Sequence, residues 1–447
     1  MADLTRDAVG ATIFKLALPM SIGIAANMSY NIADTFFIGQ VGQTELEAVS
    51  FTFPVIMALF QIAIGFGIAI TSVVSRSVGS QSTRDEGYLG TASLLLICGL
   101  ALFFCILGLL TVDPLFTMLG APADLMSSID LYLNFLYPAM AIQMITMVAS
   151  NIFRAHGDTV RPSIIMVGAA AVNTALDPLL IFGFGVIPAL GLFGAGLASL
   201  MGNSLACVAV LALLWRSQLC EVAGLSWKLV SGAWRRITVI GVPAAASNVV
   251  NPIAFAVVTA IIANYGAEAV AGYGVAGRIE AFVAIPMLAL TGGLSPFVGQ
   301  NFGRKKFDRI EKALQTTSLF TLIYVSFCAV LLAFFARECA ELFTSAPASI
   351  DFFVRYIRVI PITLVGYGIL IIVCSCYNAI GTPLPSLWLT SIRMLLLYAP
   401  LAWIGSFLGE IDGLIYGIGL ANILAGILAF IWGRKDVKKL ESHDGAL

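Results

Sequence analysis

The chain has 447 residues, 59% of them hydrophobic and only 11% charged, with a mean hydropathy of +0.96 and a formal net charge of −1. That composition excludes an ordinary soluble domain, and the near-zero charge offers no basis for a nucleic-acid partner. Two histidines, His156 and His443, exclude a histidine-rich metal centre, and most of the eight cysteines (Cys98, Cys105, Cys207, Cys328 and Cys374 among them) lie inside apolar runs, which disfavours a disulfide framework or a thiolate site.

Apolar runs long enough to cross a bilayer of ~30 Å recur along the whole sequence. Taken in order, they predict twelve spans, near 13–38, 50–74, 91–112, 131–153, 162–183, 191–215, 237–264, 274–299, 316–336, 355–378, 385–407 and 412–433. The first has no small-residue cleavage site behind it and runs into the second, so it is expected to be retained as a helix. Loops carrying Arg76 and Arg84, Arg154 and Arg161, Arg216 to Arg236, and Arg304 to Lys312, with the tail Arg434 to Lys439, alternate with loops carrying Glu45 and Glu47, Asp113 and Asp124, Glu268, and Glu410 and Asp412. The cationic loops are expected on the cytoplasmic side, with both termini.

The first span ends in "SYNIADTFFIG", where Asp34 stands near the outer end of an apolar run, with Asn27, Tyr30 and Asn31 within two turns. An intramembrane carboxylate is costly and marks a functional site by default; the competing reading is the wet end of a helix. The fourth span carries Met140, Met144 and Met147, an adaptable wall or ordinary packing. In the fifth, "VNTALDPLLIFG" sets Asn173 and Asp177 four residues apart on one face, Asp177 roughly 9 Å deep at ~1.5 Å per residue. Asn173 alone reads equally as interhelical glue. If the first and fifth spans touch, Asp34 and Asp177 form a polar pocket that titrates as a coupled unit. Pro19 and Pro178 remove backbone donors from those two helices and permit bending, or serve packing only. Asn203 in the sixth span is a further cavity candidate. In the eighth, Arg278 and Glu280 are expected to pair with each other, with lining of a cleft as the alternative. Arg393 in the eleventh has no carboxylate near it in sequence and requires a partner from another helix or a route to the interface.

A shift of 224 residues superimposes the halves: Pro19 on Pro243, Asn27 on Asn251, Gly42 on Gly266, Gly79 on Gly303 and Gly157 on Gly381. Six spans per copy predict an all-α polytopic membrane protein with twelve transmembrane helices in two six-helix lobes, 1–215 and 237–433, related by a pseudo-twofold axis along the membrane normal. A cytoplasmic linker, 216–236, joins them, and 434–447 forms a cytoplasmic tail. Under that shift Asp34 meets Val258, and Asn173 and Asp177 meet Leu397 and Leu401, so the acidic site belongs to the first lobe alone.

The stretches "LALPMSIGIAANMSYNIADTFFIGQVG", "VGSQ", "FRAHGDTVRPSIIMVGAAAVNTALDPLLIFGFGV", "GAGLAS", "GRIEAFVAIPMLALTGGLSPFVGQNFG" and "YNAIGTPLPS", in that order, resemble the multidrug and toxic compound extrusion (MATE) family, and within it the DNA-damage-inducible protein F (DinF)-like subclass. The resemblance covers essentially the whole chain. It implies an antiporter that exports small organic cations or amphipathic drugs in exchange for H⁺ or Na⁺; the expectation here is H⁺ coupling, in the plasma (inner) membrane, with no cofactor and as a monomer in the lipid bilayer. It also implies that Asp34, Asn173 and Asp177 form a first-lobe cavity and that Pro19 permits bending on protonation. The acidic residues that the sodium-coupled branch uses in spans 7 and 10 are missing, which leaves Na⁺ at Asp34, Asn173 and Asp177 as the alternative ion. A lipid-linked saccharide flippase would need several cavity cations, and only Arg278 and Arg393 are available. An intramembrane enzyme lacks a nucleophile and base pair, and a channel lacks a selectivity-loop sequence.

Overall fold

The computed structural model describes residues 4–444 apart from 82, 186–187 and 223, without the side chains of 83–86 and 437–444. The side chains of Arg84, Lys438 and Lys439, counted above among the cationic loop residues, therefore lie outside what is described. Among the described residues the chain is helical almost throughout: α1 (Val9–Val41), α2 (Gln43–Gly79), α3 (Thr83–Leu110), a short α4 (Val112–Met118), α5 (Met126–Ala155), α6 (Val160–Ile181), α7 (Gly191–Arg216), α8 (Trp227–Ala263), α9 (Ala267–Gly303), α10 (Phe307–Phe334), a short α11 (Ala336–Glu341), α12 (Pro347–Ile380), α13 (Pro383–Ser391), a π-helical segment Ile392–Tyr398, and α14 (Ala399–Asp444).

Eleven of these stretches are long and apolar enough to cross a membrane. The last, Pro383–Asp436, holds two of the expected twelve passes, because the backbone of α14 breaks at Gly409 (φ −155°, ψ 29°) and Glu410 (φ 52°, ψ −132°). The chain folds back there: Gly405 lies against Gly413, and Gly417 against the Leu401 carbonyl, pairings that only an antiparallel hairpin centred on Gly409 produces. The break falls in the polar "GEID" stretch expected between the spans. Two short helices, α4 and α11, fill loops in which no element was expected. Each caps its neighbourhood with a buried apolar side, Val112 and Phe116 in one and Ala336 and Ala340 in the other.

The chain divides into two compact units. One is Pro19–Ala245; the other joins Leu18 and the residues before it to Ala246 and those after it. The boundaries cut α1 at Leu18–Pro19 and α8 at Ala245–Ala246, close to the prolines that the 224-residue shift superimposes. Within the first unit one core packs Phe66, Ile70, Val73, Met144, Val148, Ile152 and Phe153 with Ile237 and Ile240 of α8, and another packs Ile38, Phe116, Ile129, Leu133 and Tyr137. In the second, Tyr273, Phe352, Phe353, Tyr356, Ile360 and Ile418 form the equivalent centre.

Small residues allow these helices to approach without water to drive them together. A Cβ on Gly366 of α12 would meet the Asn422 carbonyl of α14, and one on Gly426 would meet Gly366 itself. The first residues of the chain are tied down inside the second unit by the α9–α10 turn. Asn301 Nδ2 donates to the Leu4 carbonyl at 3.0 Å, Arg309 Nη2 to the Asp7 backbone carbonyl at 2.6 Å, Lys306 Nζ to the Thr5 carbonyl at 2.8 Å, and Arg304 Nη1 to Thr5 Oγ1 at 2.8 Å.

Candidate functional site

Within the first unit, α1, α5, α6 and α7 bring together the acidic groups that stood out in the sequence. Asp177 is fully buried and Asn173 nearly so, at 0% and 4% exposure. With its amide nitrogen turned toward the carboxylate, Asn173 donates to Asp177 Oδ1 at 3.1 Å and Oδ2 at 3.0 Å, the expected product of a four-residue helical spacing. Gly202 of α7 supplies the room, since a Cβ there would lie 3.3 Å from Asn173.

From α1, Tyr30 reaches the same place: its hydroxyl lies 3.3 Å from Ser199 Oγ on α7 and within electrostatic reach of both Asp34 and Asp177. Asp34 and Asp177 also act on each other. Oδ1 of Asp34 is buried and has no hydrogen-bond partner. Buried polar atoms without partners are rare, because leaving one unsatisfied costs roughly 1–3 kcal/mol and more for a charged group. Tyr132 of α5 closes the site and faces Asp34, Tyr30 and Asp177.

The other sequence candidates are placed differently. Asn31 is exposed and donates to the Asn27 carbonyl at 2.7 Å, so these two engage each other along α1. Asn203 donates to the Ala139 carbonyl of α5 at 3.2 Å and links α7 to α5. Met144 is packed into a core. Pro178 follows Asp177 directly, and the helix closes over it with the Phe182 amide donating to the Pro178 carbonyl at 3.2 Å. Ser199 and Tyr132 were missed. Ser199 stands in the quoted "GAGLAS", where a hydroxyl among small residues was a usable signal; nothing distinguished Tyr132 from other core tyrosines.

The expected pairing of Arg278 with Glu280 does not form. Two residues apart on α9, they project about 200° from each other; Arg278 is exposed, while Glu280 faces Tyr356 of α12 and Arg393 of the π-helix. Arg393 takes its partner from another helix, as it required: Nε and Nη2 donate to Asn422 Oδ1 at 3.2 and 2.9 Å.

Two units of membrane-crossing helices, with a buried cluster of carboxylates and hydroxyls in one of them, define a polytopic transporter with an ionisable internal site. The MatE family profile matches residues 19–179 and again 243–404, starting at the two repeat prolines 224 residues apart. The chain is 34% identical over 423 residues to a Shewanella oneidensis protein named FAD transporter, covering 94% of each. It is 23% identical over 430 residues to the multidrug export protein MepA of Staphylococcus aureus, covering 95% of this chain and 94% of that one. Its fold matches the crystal structure of the Vibrio cholerae MATE transporter VcmN in the bent form with a TM-score of 0.92 and 28% identity, over 97% of this chain and 98% of that one. The protein belongs to the MATE family of multi-pass membrane transporters, whose members are not enzymes.

Proposed function

We propose that the protein is a proton-coupled antiporter of the DinF-like subclass that exports cationic or amphipathic organic compounds across the plasma (inner) membrane by alternating access. The observation that carries this reading is the shared site of Asp34 and Asp177, where one carboxylate oxygen is buried without a donor and the other carboxylate is held by Asn173. Ionised, the pair holds a cation by charge in an apolar surround. A proton arriving from outside supplies the missing partner of Asp34 Oδ1 and removes the charge that holds the cargo. Pro19 leaves α1 free to change its bend when that happens. The loop charges support a cytoplasmic location for both termini, and in this reading the transporter works as a monomer.

A sodium ion at Asp34, Asn173 and Asp177 is the alternative. It would turn the Asn173 amide over, so that the carbonyl oxygen became a ligand and Asp177 lost its two hydrogen bonds. A second reading of the cargo, a flavin dinucleotide, is favoured by the 34% identity to the Shewanella protein against 23% to MepA.

The test is uptake into proteoliposomes of a fluorescent organic cation and, separately, of FAD, with an imposed proton or sodium gradient. Proton-driven uptake of the cation, reduced at least 10-fold in Asp34→Asn and in Asp177→Asn, is the expected outcome. Uptake that follows sodium changes the ion. Uptake of FAD alone changes the cargo, and full activity in both variants overturns the site.

A further inference from the structure

The second unit holds a buried carboxylate that this mechanism leaves without a task. Oε1 of Glu280 is buried and has no hydrogen-bond partner, although a guanidinium lies within electrostatic reach. Arg393 is committed elsewhere. Nε and Nη2 both go to Asn422 Oδ1, Nη1 faces Met394 Sδ at 3.7 Å, and the flat face of the group lies 4.3 Å from the centre of the Tyr367 ring and 5.5 Å from that of Tyr398. Asn422 is fixed in that orientation, because its Nδ2 donates to Thr363 Oγ1 at 3.2 Å.

A guanidinium that prefers a neutral amide oxygen to a nearby carboxylate implies that the carboxylate carries no charge. We propose that Glu280 is a second proton-binding site, built into the second unit and held as the carboxylic acid while Arg393 is engaged by Asn422. The groups that face it fit a neutral acid. Tyr273 of α9, Tyr356 of α12, and Arg393 and Tyr398 of the π-helix stand around it, with Tyr367 behind Arg393. From α8 the ring of Phe255 stacks on Tyr273, and α14 contributes the uncharged Asn422. None of these is a second carboxylate, so the proton is not shared with another acid.

When the proton leaves, the ionised carboxylate outcompetes the amide for the guanidinium, since a charge-assisted bidentate pair is roughly twice as strong as a neutral hydrogen bond. Arg393 then turns from Asn422 toward Glu280. The backbone is built for an adjustment there: Ile392–Tyr398 is π-helical, a conformation that is rare and recurs at functional sites, and it carries Arg393 and Tyr398 together. Proton loss at Glu280 thus pulls on the hinge between α13 and α14.

The experiment reads the acid directly and does not depend on transport, so it separates this inference from the proposed function. Infrared spectra are recorded on the purified protein in lipid at neutral pH, in an Asp34→Asn/Asp177→Asn background. The expected result is a carbonyl band of a buried, protonated carboxylic acid, lost on adding Glu280→Gln and moved to higher frequency by Tyr356→Phe, which removes a hydrogen-bonding neighbour but keeps the acid. If Glu280→Gln fails to fold, the Tyr356→Phe shift still decides. Absence of the band at neutral pH, its persistence in Glu280→Gln, or no shift in Tyr356→Phe overturns the proposal.

Discussion

At the scale of single residues, Asn422 shows how much a neutral side chain can determine inside a membrane protein. It accepts two hydrogen bonds from Arg393 and donates one to Thr363, and all three residues are at least 95% buried. Asn422→Leu is similar in size but leaves the guanidinium without its acceptor. Hydrogen bonds to charged groups contribute ~1.5–3 kcal/mol, so thermal unfolding in detergent should show a loss of about that magnitude, unless Arg393 swings onto Glu280. In that event the loss should reappear when Glu280→Leu, which offers no acceptor, is added. Asp34, Asn173 and Asp177 were legible in the sequence because ionisable and amide groups are rare inside apolar runs. Asn422, Ser199 and Tyr132 were not. A lone amide, a hydroxyl among small residues and a core tyrosine each have an ordinary packing role, and only the three-dimensional neighbourhood assigns another. Glu280 was visible too, but with the wrong partner, because proximity in sequence on a helix does not mean a shared face.

Between whole elements, contact is decided by what is absent from the helix surface. Gly366 lets α12 reach the backbone of α14 at Asn422, whereas Gly99 of α3 has nothing within 4 Å of where a Cβ would stand. The same substitution should therefore act in opposite directions. Gly366→Ala forces the helices apart and should cost roughly 1–3 kcal/mol, while Gly99→Ala should be neutral or stabilise by up to ~1 kcal/mol through helix propensity. Unfolding midpoints of the two variants, measured side by side, check both signs. The turn within α14 carries its own strain: Glu410 adopts φ 52°, ψ −132°, a conformation open to glycine and costly for a side chain. Glu410→Gly should stabilise the hairpin by about 1 kcal/mol, read as a higher unfolding midpoint. At this scale the sequence conveyed the number of passes and the position of the last turn, since hydropathy follows burial in lipid. The π-helix was invisible, because an i to i+5 register leaves no periodic mark across seven residues of which only Arg393 is charged.

Across the whole molecule, the 224-residue repeat was readable from a handful of prolines, glycines and asparagines, and the family profile falls twice at the same offset. What it did not convey is that α1 and α8 each change unit near those prolines. Contacts far apart in sequence decide that, such as Arg309 with Asp7 or the Trp234 indole N–H with the Ala92 carbonyl at 2.9 Å. Arg309 also donates to the Leu4 carbonyl at 3.3 Å and, through Nε, to Asn301 Oδ1 at 2.9 Å, so it holds two carbonyls of the N-terminal segment and the Asn301 side chain that binds one of them. Arg309→Ala should raise amide hydrogen exchange in the peptide covering Thr5–Leu18 by at least 10-fold while leaving Pro19–Val41 unchanged. Equal acceleration on both sides of Pro19 would mean that α1 responds as one rod.

The strap at residues 4–7 also imposes an order of events during biosynthesis. Its partners, Asn301 to Arg309, leave the ribosome almost 300 residues after the segment they hold. The opening turns of α1 must wait in the bilayer, inserted but unpaired, while seven more passes are made. Chain-end fusions and truncations should accordingly show their damage late, as second halves that insert normally and then fail to close around the oldest part of the chain.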